Sequence, residues 1–526
     1  MTRAGWSGRL LAVVGGTVGV LTTLFVVAPV PSAQAAVSFG AATNFSMGTS
    51  PTSVAVGKLN ADNNLDIVTA NAGSNNVSVR LGTGTGSFGG AATFAMGTSP
   101  QWVALGTFDG DSNLDIVTAN AGSNNVSVRL GTGTGSFGTA SSFGLSGGTG
   151  ASSVVVGKFN ADNIDDLAVA NLSTNNISIL IGTGTGGFGA AANFTTGTQP
   201  FSVTAGDFDA DADLDLVTAN SGASNVSVLL GNGAGSFGAP TPFTVGTNPR
   251  GVAVGSFDAG SNPDLAVANT TSANVSRLLG NGTGGFGAAA NFATSTQPYA
   301  VTVADFDRDG RQDLATANRN LSGSTSVLLG TGTGSFGAAV NFSMASRPQS
   351  VATGDFNNDS WPDLVTANNT GNNVSVRLNT SVTINLSITV PAGPVPLGNG
   401  QPGNQISAFL GQVRVTDNRS SGNHAWTSTV SATNFTTGAG GPSQVIANSS
   451  ISYWSGPATA TSGAGAFTPG QLTAGQAVTL SSPRTAFSHA AGIGANSAFW
   501  NPTIVVNLPV TIAVGTYTGT VTHSVA

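Results

Sequence analysis

The chain has 526 residues, of which 40% are hydrophobic and only 7% charged, with a formal net charge of −7; this is enough apolar material for packed cores and excludes wholesale disorder. All 23 acidic residues are Asp, and the two lysines and fourteen arginines form no basic run, which excludes nucleic acid as a partner. Cysteine is absent, excluding disulfides and thiolate-bound metals, and the dominance of Gly, Ala, Thr, Ser, Asn and Val suits strands and tight turns, so an all-β protein is expected.

At the N-terminus, Arg3 and Arg9 are followed by a largely apolar run from Leu10 to Val27 and then by small residues ending Ala33-Gln34-Ala35. This pattern predicts a secretory signal over residues 1–35, cut after Ala35, and hence a secreted protein. No later segment is long and apolar enough to span a membrane. Leu508-Pro509-Val510-Thr511 lacks the glycine and the apolar tail of a sortase signal.

A Phe-Gly pair then recurs at Phe39, Phe88, Phe137, Phe188, Phe237, Phe286 and Phe336, in steps of 49, 49, 51, 49, 49 and 50. Each copy carries four short apolar segments, in the first copy Thr43 to Met47, Ser53 to Leu59, Leu65 to Ala70 and Val77 to Leu81. The fourth runs into a Gly-rich connection, Gly82-Thr83-Gly84-Thr85-Gly86, which reads as a turn because it recurs and no helix follows it. Four strands in about 50 residues, repeated seven times, predict a seven-bladed β-propeller over residues 36–380. The first copy has a strand to spare before its first acidic loop, and that strand is expected to complete the last blade and latch the ring.

The segment joining the second and third strands of each copy holds 22 of the 23 Asp residues. Like charges gathered this way repel unless a cation compensates them. The fourth copy places Asp207, Asp209, Asp211, Asp213 and Asp215 on alternate positions; the sixth gives Asp305, Asp307, Asp309 and Asp313, with Gly310 at the bend; the seventh gives Asp355, Asn357, Asp359 and Asp363. Side-chain oxygens at the first, third, fifth and ninth places, with the backbone carbonyl of the seventh (Asp213, Arg311 or Trp361), form a Ca²⁺ ligand pattern. In loop two Thr107 stands first, before Asp109, Asp111 and Asp115, which predicts a weaker site. Loop five, with Ser256 and Gly260 at places one and five, has too few carboxylates. In loops one and three Lys58 and Lys158 occupy the first place, and their ammonium groups are expected to stand in for the ion.

With its seven Phe-Gly pairs and stretches such as Gly206-Asp207-Phe208-Asp209-Ala210-Asp211 leading to Asp215-Leu216-Val217, the repeat region resembles FG-GAP or VCBS-type repeats, the blades of integrin α-subunit propellers. The resemblance implies structural Ca²⁺ in loops four, six and seven. Such propellers serve adhesion, carbohydrate recognition and scaffolding, so the fold leaves the partner open.

After Leu378 the period stops, and a Pro/Gly-rich stretch through Pro391, Pro394, Pro396 and Pro402 opens a second domain over 381–526. Alternating segments at Gln412 to Val415, Trp426 to Ala432, Ile504 to Val510 and Thr516 to Val521 predict a β-sandwich, with Trp426, Trp454 and Trp500 as core. Val415-Thr416-Asp417-Asn418-Arg419, Trp426-Thr427-Ser428, Asn434-Phe435 and Leu386 to Val390 before Pro391 resemble the WxL cell-surface domain, which implies attachment to the cell wall. The sequence departs from that family at Ser428, where the family has Leu, and at Thr522-His523-Ser524, where a second Trp motif is missing. His424, His489 and His523 all lie here, away from any acidic cluster, so neither a zinc site nor a Ser/His/Asp triad is expected. The expected function is a non-enzymatic binding or adhesion module for an extracellular glycan or protein. A structural repeat protein without a ligand is the alternative, and a hydrolase or lyase using paired Asp residues a third reading.

Overall fold

The computed structural model describes residues 4–14, 27–28, 37–381, 386–390, 395, 397–417, 425–437, 439–490, 496–513 and 515–525. The Ala33-Gln34-Ala35 cleavage signal, Pro391, Pro394, Pro396, Asn418, Arg419 and His424 lie outside them. The chain divides into two units: residues 36–381, and residues 382–526 together with 1–35.

The first unit consists of seven antiparallel four-stranded sheets. Blade one is formed by Pro51–Gly57, Asp66–Asn71, Asn76–Arg80 and Ala92–Ala95, from innermost to outermost. The second strand is buried along its whole length in every blade, which explains why sequences such as Asp-Ile-Val-Thr-Ala-Asn do not alternate: adjoining blades cover both faces. Outer strands, by contrast, are largely exposed. The seventh sheet takes its outer strand from the N-terminal end of the unit. Thr43–Ser46 pairs antiparallel with Asn373–Arg377, and the Asn44 side-chain carbonyl accepts a 2.6 Å bond from Ser375 Oγ, so the ring is closed by the strand expected to latch it.

The phenylalanine of each Phe-Gly pair seals a seam between blades. Phe88, which follows blade one's third strand, packs edge-on against Phe45 at 5.2 Å and Phe356 at 5.7 Å, both belonging to blade seven. Phe188, which follows blade three's third strand, meets Phe108 and Phe143 of blade two in the same way. Gly82 in the connecting turn is obligatory, because a Cβ there would lie 2.2 Å from the Leu65 carbonyl oxygen. Backbone bonds cross the same seams: Gly86, Gly135, Gly186, Gly235, Gly284 and Gly334 each donate to a loop carbonyl of the preceding blade, at 2.7–2.8 Å. Blade seven has no Gly-rich turn, and the Asn379 side chain donates to Phe306 O instead, at 2.9 Å.

Among the described residues of the second unit three sheets enclose one core. Their main orders are Leu386–Thr389, Val413–Asp417, Asn496–Trp500, Ala458–Ser462; then Gln405–Phe409, Thr503–Asn507, Ile451–Trp454, Val478–Thr479; and Gly515–Val525, Trp426–Ala432, Arg484–Ala490, Ala466–Pro469. Ala4–Val14, within the segment read as a leader, pairs antiparallel with Gly515–Val525. Trp426 and Trp500 are core residues as expected, with Tyr453, Phe435 and Phe487 around them, whereas Trp454 is half-buried. His523 is buried beside Tyr453 and Trp500, and neither ring nitrogen has a hydrogen-bond partner. Desolvation pushes its pKa down to about 3.

Two outcomes follow. Phe88→Ala should cost about 3–5 kcal/mol by emptying a two-blade seam, read from the urea midpoint. Because His523 is held neutral in the fold and titrates near 6.5 when unfolded, its contribution is present above pH 6.5 and is lost as the pH falls toward 3. The second unit should therefore lose roughly 5 kcal/mol across that window, and His523→Leu should flatten the dependence in pH-resolved denaturation.

Candidate metal centres in the blade loops

The acidic loops join the inner to the second strand of each blade; counting as in the sequence, their nine places run from Lys58 to Asp66 in blade one and from Asp207 to Asp215 in blade four. The ninth-place Asp opens the second strand and is buried in all seven blades. One carboxylate oxygen accepts the place-two N–H, from Leu59, Phe108, Phe159, Phe208, Phe257, Phe306 or Phe356, at 2.7–2.8 Å. The other accepts the amide that ends the third strand, from Gly82, Gly131, Gly182, Gly231, Gly280, Gly330 or Asn379, at 2.7–2.9 Å. Asp66, Asp115, Asp166, Asp215, Asp264, Asp313 and Asp363 are thus clasps first, even in loop five where Asp258 is the only other carboxylate. The sequence carried the signal, since place nine is Asp in every copy and place one is not.

The remaining places separate the loops. In loops four, six and seven the first-place carboxylate folds over the loop's own amides: Asp207 accepts from Ala210 and Ala212, Asp305 from Asp309 and Gly310, and Asp355 from Asp359 and Ser360. In each of the three the backbone turns left-handed at places four and six, namely Ala210 and Ala212, Arg308 and Gly310, and Asn358 and Ser360. Five of these six residues have side chains, and that conformation costs each roughly 1 kcal/mol or more, which the amide bonds to the first-place carboxylate help to offset.

What lies inside is a set of oxygens. One from each of Asp207, Asp209 and Asp215 come within 4.8 Å of one another, as do one each from Asp305, Asp307 and Asp309. Asp211 and Asp213 stand outside the first group and Asp313 outside the second. Asp209 Oδ1 and both carboxylate oxygens of Asp307 are buried with no hydrogen-bond partner. Oxygens so gathered fit a hard cation with a ligand radius of about 2.3–2.6 Å. Desolvation, with Asp309 and Asp305 nearby, raises the Asp307 pKa to about 6; burial also raises Asp215 to about 6, Asp363 to about 7 and Asp313 to about 8. Burial therefore disfavours the charged form of each of these groups, and at Asp307 the charge of Arg311, bonded to Asp309 at 3.0 Å, offsets part of the effect.

Loop seven closes differently. Asn357 donates its side-chain amide to Asp359 at 2.8 Å, and Asp355, Asp359 and Asp363 form no three-oxygen cluster among the described residues; nor do Asp109, Asp111 and Asp115 of loop two. In that loop Thr107, at the first place, is bound to the next blade: its N–H and hydroxyl both donate to Asp165 of loop three, at 2.8 and 3.2 Å. Loop five repeats the device, the Ser256 N–H donating to Gln312 of loop six at 2.6 Å. Sequence reasoning missed this cross-blade capping, whose trace is an extra Asp at place eight of loop three. The lysine expectation is overturned. Among the described residues no lysine lies within 4.0 Å of a carboxylate, and Lys58 and Lys158 are exposed, Lys158 reaching Asn163 at 3.4 Å. Asn60 and Asn160 donate instead to Asp62 and Asp162, at 3.0 and 2.9 Å, because a short amide bonds within the turn while a long ammonium gains more from water.

Seven closed blades with acidic inner-strand loops define a β-propeller of the repeat class. Five matches to the family model described as FG-GAP-like repeat cover residues 58–118, 108–169, 158–218, 257–316 and 309–366, and the chain belongs to that family. No curated protein matches it. Similar solved structures include BBS1N in complex with ARL6DN (14% identity, 65% of this chain, 96% of that one, TM-score 0.47). Others are virginiamycin B lyase from Staphylococcus aureus with quinupristin (12%, 65% and 99%, 0.45) and an Agrocybe aegerita lectin that recognises non-reducing terminal N-acetylglucosamine (17%, 69% and 96%, 0.42).

Asp264→Ala, which strips two buried amides of their acceptor, should destabilise the propeller by about 3 kcal/mol with or without divalent ions. In chelator, the raised pKa values of Asp307, Asp363 and Asp313 mean that the folded state holds protons more tightly than the unfolded one. That stability is full below about pH 4 and lost as the pH rises through 6 to 8, so the ion-free propeller should melt higher at pH 5 than at pH 8.

Proposed function

We propose that the chain is a secreted or cell-surface calcium-binding propeller acting as a non-enzymatic binding module for an extracellular glycan or protein, with its second unit as a spacer or wall attachment. The observation that carries the metal is Asp307, a buried carboxylate with two unpartnered oxygens between Asp305 and Asp309: a bound cation removes its desolvation cost. Loop four offers a second such site; in loop seven Asp355, Asn357, Asp359 and Asp363 are proposed on the sequence pattern and the family resemblance alone. A ring of blades joined at their loops is stiffened by ions held at those loops, which suits a surface that must keep its shape on binding. Export is supported by the leader pattern of residues 1–35, and wall attachment by the motifs around Trp426. The propeller contains no His, Glu or Cys, so acid–base chemistry there would fall to Asp residues the loops already employ.

Thermal unfolding with calcium and with chelator tests the metal. An ion at a hundredfold excess over its Kd adds about 2.7 kcal/mol, so the melting temperature should rise by several degrees, and Asp307→Asn combined with Asp209→Asn should abolish most of the rise. Equal melting in both buffers, with no divalent ion in the purified protein, would refute it. The N-terminus of exported protein should be Ala36, and a glycan array with a surface pull-down tests the binding role.

A further inference from the structure

The ends of the blades opposite the acidic loops depart from the repeat in one sector. At the second residue of the inner strand, blades one to three and seven carry Thr52, Gln101, Ser152 and Gln349, but blades four to six carry Phe201, Arg250 and Tyr299. These three converge. The Arg250 guanidinium lies 4.4 Å from the Phe201 ring and 4.8 Å from that of Tyr299, and bonds the Tyr299 hydroxyl at 2.9 Å. Arg319 stacks on Tyr299 at 5.1 Å. Where Arg319 stands, after the second strand, the other blades have Ala72, Ala121, Leu172, Ser221, Thr270 and Asn369; where Arg347 stands, before the inner strand, they have Ser50, Ser99, Gly150, Gln199, Asn248 and Gln297. Blade six is also one residue longer at this turn, Asn318 pairing with Ser324 where Asn71 pairs with Asn76. The extra residue pushes Leu321 out to 73% exposure. A cleft of about 570 Å³ results, lined by Gln297, Arg319, Asn320, Leu321, Ser322 and Arg347.

This cleft has cations and no counter-charge. Among the described residues neither Arg319 nor Arg347 lies within 4.0 Å of a carboxylate, and Arg319 Nε is buried without a hydrogen-bond partner. The nearest acidic residue on the strand that Arg319 follows is Asp313, at its far end, roughly 20 Å away at strand rise and beyond the Debye length of about 8 Å. Guanidinium forks bind carboxylate or sulfate in two-point fashion, while Gln297 and Ser322 offer amide and hydroxyl groups to sugar hydroxyls, and Leu321 an apolar surface to a ring face. An acidic protein surface would meet the chain's net charge of −7, whereas a single acidic sugar meets only the cleft.

We propose that the cleft between blades six and seven binds the acid group of an anionic glycan through Arg319 and Arg347, with Tyr299 and Arg250 holding Arg319 in place. The proposal rests on the binding-module reading and names its ligand class. Isothermal titration of the full chain, loaded with calcium and freed of excess ion, with oligogalacturonate, its methyl ester and a sulfated oligosaccharide tests it and separates carboxylate from sulfate. At least one acidic oligomer should bind, the ester at least about tenfold more weakly, and added salt should weaken the acidic one. Arg319→Gln with Arg347→Gln should weaken acidic binding at least about tenfold, as should Arg347→Gln alone, which leaves the aromatic stack untouched should the double variant melt early. Arg414→Gln, in the second unit, should change nothing. Unchanged affinity in Arg347→Gln, or an array and pull-down that return only neutral glycans or a protein, would overturn the cleft assignment while leaving the binding-module reading standing; no ligand of any class would end both.

Discussion

Each blade is organised by one carboxylate bridging two backbone amides. The ninth-place Asp opens the most buried strand of its sheet and ties together two points that the chain reaches far apart in sequence, the place-two amide of its own loop and the amide ending the third strand. Burying the charge is costly, and two short charge-assisted bonds offset that cost. Because the place-two carbonyl accepts from the Gly-rich turn of the following blade, the same residue that the clasp fixes also carries the bond across the seam. Ring closure, loop shape and blade spacing all depend on it.

On this frame the loops have diverged. Where a first-place Asp is present the backbone winds left-handed twice around it, and in loops four and six three carboxylates are brought together, among them Asp209 Oδ1 and both oxygens of Asp307, which have no hydrogen-bond partner among the described residues. Where that Asp is lost, other side chains take over the closing bonds: Asn side chains close loops one and three, and a side chain from the neighbouring blade caps loops two and five. The 22 Asp residues therefore serve several purposes, a clasp common to all blades, turn and cross-blade acceptors such as Asp62, Asp162 and Asp165, and a proposed cation cage confined to a few, and mere counts of carboxylates do not distinguish them.

The opposite ends of the blades, free of acidic residues, follow a separate logic. The repeat there is mostly small or polar outside blades four to seven, where substitutions bring together the stack of Phe201, Arg250, Tyr299 and Arg319 and a one-residue insertion lengthens the turn that carries Leu321. A ring of near-identical blades lets one sector change without disturbing the rest, since each blade contacts chiefly its neighbours.

Much of this was legible in the sequence. The Phe-Gly period, the turn glycines and the surplus first strand determined the blade count and the latch, because each records a local requirement: a ring in a seam, a backbone approach no Cβ permits, an unpaired edge. Alternate Asp positions likewise marked loops four, six and seven. Only the tertiary structure decided which of those carboxylates were already bound to amides, which were left without partners, that Lys58 and Lys158 turn to solvent, and that Phe201 and Tyr299, from blades four and six, meet around Arg250. The physical reason is one of range. Spacing along the chain fixes what a strand or turn demands of itself, but whether a buried oxygen finds a donor, or an arginine an aromatic ring, is settled by residues that arrive from the next blade.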